Sequence, residues 1–136
     1  MITAIDTNIL LDLLSDDPSF EDSSEEALRR VSQDGAVVIC EVVYAEAAGV
    51  FPEQSELETF LDRTGIELKS CAPGTLWKAG QLWKRFCLEK PPRSNVNRRL
   101  IADFLIGAHA QLQADRLLTR DQGFYRAAFT GLRLAS

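Results

Sequence analysis

The segment Ala36-Val37-Val38-Ile39-Cys40 is apolar without a break between Gly35 and Glu41. A strand with one wet face would show a polar residue at every second position, so this run reads as a strand buried on both faces, the kind found in parallel sheets. Parallel neighbours need a crossover between them, and a helix is the usual one. That requirement organises the rest of the chain.

Residues 2–5 lean to β structure and stop at Asp6, after which Ile9, Leu10, Leu13 and Leu14 recur at helical spacing. Ser23-x-x-Glu26 has the form of a capping box, and with Ala27, Leu28 and Val31 it predicts a helix over 24–33, stopped by Gly35. Helical spacing returns over 42–51, Pro52 precedes a helix over 53–63 closed by Gly65, and 66–71 is a weaker third strand. After Pro73-Gly74, the residues Leu76, Trp77, Leu82, Trp83, Phe86 and Cys87 outline a long amphipathic helix ending at Pro91-Pro92, both tryptophans being read as packing residues. The polar segment 93–97 reads as a mobile loop. It is followed by a helix to Gln113, a strand over 116–119, a short helix over 122–129 and a last strand over 132–134. The alternation predicts an α/β fold, a mostly parallel sheet with helices on both faces, in one domain over 1–136. In such open sheets, chemistry gathers where strands end and helices begin.

At 136 residues and 46% hydrophobic, the chain is too short for a two-domain enzyme and too apolar for a disordered one. No apolar stretch nears the ~20 residues of a membrane helix and no basic leader precedes one, so a soluble cytoplasmic protein without a membrane partner is expected. Cys40, Cys71 and Cys87 are far apart and form no Cys-x-x-Cys. They are expected to be reduced core residues, offering no zinc site. The net charge of −5 suits poorly a protein that holds nucleic acid chiefly by neutralising phosphates. The charge is nevertheless uneven. Residues 16–26 hold acids without a base, whereas Lys84, Arg85, Lys90, Arg93, Arg98 and Arg99 are offset by Glu89 alone. These two runs are either solvated faces or, for the second, a grip on a polyanion.

Four acids sit in unusual surroundings. Asp6 follows the first strand at once and Asp121 follows the strand ending at Thr119, and each could serve simply as a helix N-cap. Glu46 has Val42, Val43, Gly49 and Val50 on its own helix face, so its carboxylate is expected to point into apolar surroundings. Asp103 is set among Leu100, Ile106 and Gly107, in what reads as a helix interior that Asp disfavours. Buried carboxylates need a partner, a proton or a metal. Four of them within ~5 Å would repel by about 3 kcal/mol per pair at an effective dielectric near 20, and a hard divalent cation with oxygen ligands resolves that most simply. Thr7, Asn8 and Thr119 stand beside these acids, either to orient a carboxylate or water or as plain turn and cap residues. Asp12 and Glu41 read as residues of helix ends or exposed turns, outside the site. His109, the single histidine, is turned away from Asp103 on its helix and reads as structural, so a Ser-His-Asp or Cys-His mechanism has no support.

The ordered set Ile5-Asp6-Thr7-Asn8-Ile9-Leu10, Tyr44-Ala45-Glu46, Ala102-Asp103-Phe104-Leu105-Ile106-Gly107-Ala108 and Leu118-Thr119-Arg120-Asp121 spans essentially the whole chain. It resembles the PIN-domain family, and more closely the VapC-type toxins of prokaryotic toxin–antitoxin pairs. The resemblance implies a Rossmann-like fold and a Mg²⁺- or Mn²⁺-dependent endoribonuclease whose acidic quartet falls on Asp6, Glu46, Asp103 and Asp121, with Thr7, Asn8 and Thr119 in support. It further implies products with 5′-phosphate and 3′-hydroxyl ends, a cognate antitoxin and a homodimer, for which residues 42–51 could supply an apolar interface. Lys84, Arg85, Arg93, Arg98 and Arg99 are the candidates for gripping RNA. Where such proteins often have Ser before the Glu-bearing helix, this chain has Cys40. Two other readings stand beside it: an inactive binding module of the same fold, and an Asp-nucleophile phosphatase. The second is disfavoured because Asn8 stands where that chemistry usually has an acid.

Overall fold

Every strand of the sheet is three residues long: β1 (Thr3–Ile5), β2 (Val37–Ile39), β3 (Ile66–Leu68) and β4 (Arg116–Leu118). The computed structural model describes residues 1–15, 18–89 and 101–135. Within them the helices are α1 (Thr7–Leu13), α2 (Pro18–Gln33), α3 (Glu41–Ala48), α4 (Gln54–Thr64), α5 (Pro73–Glu89), α6 (Ile101–Gln113) and α7 (Gln122–Ala128). The strand order is β3-β2-β1-β4 and each pair is parallel, as the apolar run at 36–40 requires. The chain steps from β1 through β2 to β3 in one direction and then returns to the far side of β1. With right-handed crossovers, helices before β3 and those after it therefore cover opposite faces.

All residues of β1 and β2 are buried, whereas β3, at the edge, buries Ile66 alone. A second concentration of core lies under α6, where the Phe104 ring sits 5.5 Å from both Phe86 and Phe124 and 6.0 Å from Phe129. Gly107 lets Phe129 in close: a Cβ there would lie 2.3 Å from the ring. Gly65 closes α4 in the left-handed conformation, φ 74°, which costs glycine little.

Several expectations need correction. The helix predicted over 24–33 starts at Pro18, a residue pre-set for a first helical turn, so Ser23 lies inside it and caps nothing. Residues 132–134 form no strand; Leu134 makes one isolated bridge to Leu117. The Gly131 turn, at φ 87°, and the bond from Leu132 N–H to the Phe129 carbonyl take up the chain before a ladder can extend. Trp77 is not packed. Helix α5 buries the small residues Thr75 and Ala79, which leaves Trp77 71% exposed. Of the cysteines Cys40 alone is in the core, while Cys71 is half-buried and Cys87 exposed. The Pro91-Pro92 stop and the loop predicted over 93–97 lie outside the described residues.

Candidate acidic site at the sheet edge

Because all four strands are parallel, their carboxyl ends share one edge, and Asp6, Cys40, Lys69 and Thr119 each follow a strand there. Asp6 is buried, at 6% exposure, and caps α1. Its Oδ1 accepts the Thr7 amide at 2.7 Å, and its Oδ2 accepts the Thr119 hydroxyl at 2.7 Å and the Asn8 side-chain amide at 3.3 Å. Burial pushes the Asp6 carboxyl above its ordinary pKa; the Thr119 and Thr7 bonds act against this, and the nearby Asp103 charge adds to it.

The neighbouring acids arrive by way of the supporting residues. Thr7 donates its hydroxyl to Glu46 Oε1 at 2.8 Å, joining α1 to α3. Thr119 Oγ1 accepts the Asp121 amide at 3.0 Å and the Asn8 side chain at 3.4 Å, which holds the start of α7 against Asp6. Thr7, Asn8 and Thr119 thus form one hydrogen-bonded set around Asp6. Glu46, however, is exposed, contrary to the apolar setting expected for it. Helix α3 buries Val43 and Ala47, and the flank with Glu46, Gly49 and Val50 faces outward. Asp103 is half-buried on α6, near the start of its described part. Asp121 is half-buried at the α7 N-cap position but makes no side-chain cap.

Tyr125 was not expected here. It stands one helical turn beyond Asp121, a spacing that the sequence does display. Its hydroxyl is buried beside Asp6, and its titration is pushed far upward by burial and then by the charges of Asp6 and Asp103. Asp12 stands near the end of α1, as expected. It is buried, accepts the Ser24 hydroxyl at 2.7 Å, and is held by Arg120 Nε and Nη2 at 2.6 and 2.9 Å. His109 is structural, as expected: buried, with Nε2 donating to the Lys69 carbonyl at 2.7 Å. Lys84 and Arg85 are exposed on α5, while Arg93, Arg98 and Arg99 lie outside the described residues.

Among the described residues, no three of the acids bring carboxylate oxygens within 4.8 Å of one another; the trio that does bring ligand atoms so close is Cys40, Glu41 and Cys71. Cys40 and Cys71, far apart in the chain, are thus neighbours in the fold.

The PIN domain family matches residues 3–130. No curated protein matches the chain. The fold is similar to that in a VapBC2 structure from Rickettsia felis, bound to a DNA fragment from their promoter, with a TM-score of 0.69, 21% identity, and coverage of 98% of this chain and 97% of that one. It is similar also to VapBC-1 from nontypeable Haemophilus influenzae, with a TM-score of 0.68, 23% identity, and 98% and 96% coverage. FitAcB from Neisseria gonorrhoeae gives a TM-score of 0.60 at 16% identity, over 100% and 97%. Among the described residues no helix is long and apolar enough to cross a membrane.

Proposed function

Since the chain belongs to the PIN domain family, we propose that it is a metal-dependent endoribonuclease, the toxin of a VapBC-like toxin–antitoxin pair. The observation that carries this reading is the convergence on Asp6. Thr7 links it to the Glu46 carboxylate, Thr119 links it to the backbone amide of Asp121, and the charge of Asp103 reaches it directly. The donor set is all oxygen and suits a hard cation, Mg²⁺ or Mn²⁺. Burial, and after it the Asp103 charge, raises the pKa of Asp6, which a bound cation would offset.

Asp6 and Asp103 would hold the ion, with Glu46 and Asp121 near it or joined through water. When bound, the ion supplies an activated water and neutralises charge on the phosphate. The protein's own contribution is orientation. The Thr7 amide and Thr119 hydroxyl fix both Asp6 oxygens, and Thr7 holds Glu46, so these groups need no rearrangement during reaction. Lys84 and Arg85, with Arg93, Arg98 and Arg99, position the RNA backbone.

The similar VapBC and FitAcB structures support an antitoxin as partner. Residues 42–51, with Val50 exposed, supply the interface of a homodimer in the cytoplasm. The test is cleavage of structured RNA by the purified protein with Mg²⁺ or Mn²⁺, with a chelator, and by Asp6→Asn and Asp103→Asn. Metal-dependent cleavage that falls by about 100-fold or more in each variant is expected. Equal signals from native and variant proteins would leave a binding module of the same fold.

A further inference from the structure

The sheet edge that holds the acids carries a second cluster of different chemistry, above β2 and β3. Cys40 Sγ, Cys71 Sγ and a Glu41 carboxylate oxygen all lie within 4.8 Å of one another. Their burial is graded: Cys40 is buried, Cys71 half-buried and Glu41 exposed. From this juxtaposition we infer that Cys40, Glu41 and Cys71 form a binding site for a thiophilic divalent cation of the zinc class, separate from the acidic site.

Donor type and geometry agree. Two sulfurs and one oxygen are borderline-soft ligands, which select zinc over magnesium. Tetrahedral zinc with Zn–S bonds of about 2.3 Å sets ligand atoms about 3.5–3.8 Å apart, so a cluster within 4.8 Å needs to contract by no more than about 1 Å. Three protein donors leave the fourth position to water.

The surroundings hold the donors in place. Cys40 caps α3 without making a side-chain cap bond. Glu41 Oε1 accepts the Cys71 amide at 2.9 Å, which sets the carboxylate beside the second thiol. The segment carrying Cys71 is tied down on both sides. Lys69 N–H donates to the Ile39 carbonyl at 2.8 Å, and the Lys69 carbonyl accepts from His109. Gln113 donates to the Ser70 carbonyl at 3.0 Å and accepts from the Ala72 amide at 2.8 Å. Burial raises the pKa of both thiols, so without metal they are protonated and unreactive, and binding releases their protons. Bound zinc would pin the start of α3, the helix that carries Glu46, to the segment entering α5.

The experiment is a Co²⁺ titration of the purified, fully reduced protein in excess Mg²⁺, followed by absorption, with Zn²⁺ added last. A sulfur-to-cobalt charge-transfer band saturating at one ion per chain and erased by Zn²⁺ is expected. The band should be lost in Cys71→Ser and kept in Cys87→Ser, and Glu41→Gln should bind Zn²⁺ at least about tenfold more weakly. Zn²⁺ should also raise the melting temperature of the native protein but not of Cys71→Ser, a comparison that does not depend on the buried Cys40 tolerating replacement. Weak visible bands without the sulfur transition would place the ion on carboxylates and overturn the proposal. So would a band that survives in Cys71→Ser or disappears in Cys87→Ser. None of these outcomes bears on RNA cleavage.

Discussion

Arg120 grips Asp12 with two nitrogens, Nε at 2.6 Å from Oδ2 and Nη2 at 2.9 Å from Oδ1, and so fastens the turn after β4 to α1. The Asp12 side chain is 6% exposed and that of Arg120 44%, so the acid is enclosed and the base still meets solvent. The residue that follows Arg120 is Asp121.

Arg120→Ala leaves the enclosed Asp12 with the Ser24 hydroxyl but without its cation. Because Arg120 is partly hydrated, the loss is smaller than for a fully buried pair, about 2 kcal/mol. Urea unfolding should show it. Arg120→Lys keeps the charge but not the two-pronged contact, and should recover about half.

Thr7→Val preserves the shape at position 7 and the amide that Asp6 accepts, but removes the hydroxyl held by Glu46. Stability should change by no more than about 1 kcal/mol. RNA cleavage should fall by about tenfold or more, with Thr7→Ser restoring it. A variant with native rates would show that Glu46 needs no such tether.

The raised pKa of Asp6 makes a signed prediction. In the metal-free protein the native state keeps this proton at a pH where the unfolded chain has already lost it. The Asp6 contribution to stability is therefore greatest below its ordinary pKa near 3.8 and declines as pH rises through the higher native value. Denaturant unfolding across this range, in chelator, should show that downward trend in the native protein relative to Asp6→Asn. Mg²⁺ should cancel it, since a bound cation favours the ionised form.

Gly107→Ala places a methyl group 2.3 Å from the Phe129 ring, which is itself buried against Phe104 and Tyr125. The ring has to move, at a cost of about 1–3 kcal/mol. Thermal melting should register this, and Phe129→Leu in the same chain should restore part of the loss by making room.

The sequence displayed the parts of this structure that depend on neighbours along the chain. The run at 36–40 announced a parallel sheet, and Asp6 and Thr119 stood visibly at strand ends. Helical spacing showed that Glu46 shares a flank with Gly49 and Val50 but not that this flank faces outward, because Val43 and Ala47 took the core. Asp12 is a helix-end acid, but its partner Arg120, 108 residues away, could not be seen from local pattern. Cys40 and Cys71 looked unrelated for the same reason: β2 and β3 are adjacent in the sheet, and a whole helical excursion separates them in the chain. The last strand failed because a turn at Gly131 interrupted a pattern that composition alone supported.

The partner of β1 on one side is β4, so Ile5 lies beside Leu118, and Asp6 meets Thr119 across a separation of 113 residues. Synthesis proceeds from the amino terminus. Asp6 therefore waits for Thr119 until nearly all of the preceding chain has left the ribosome.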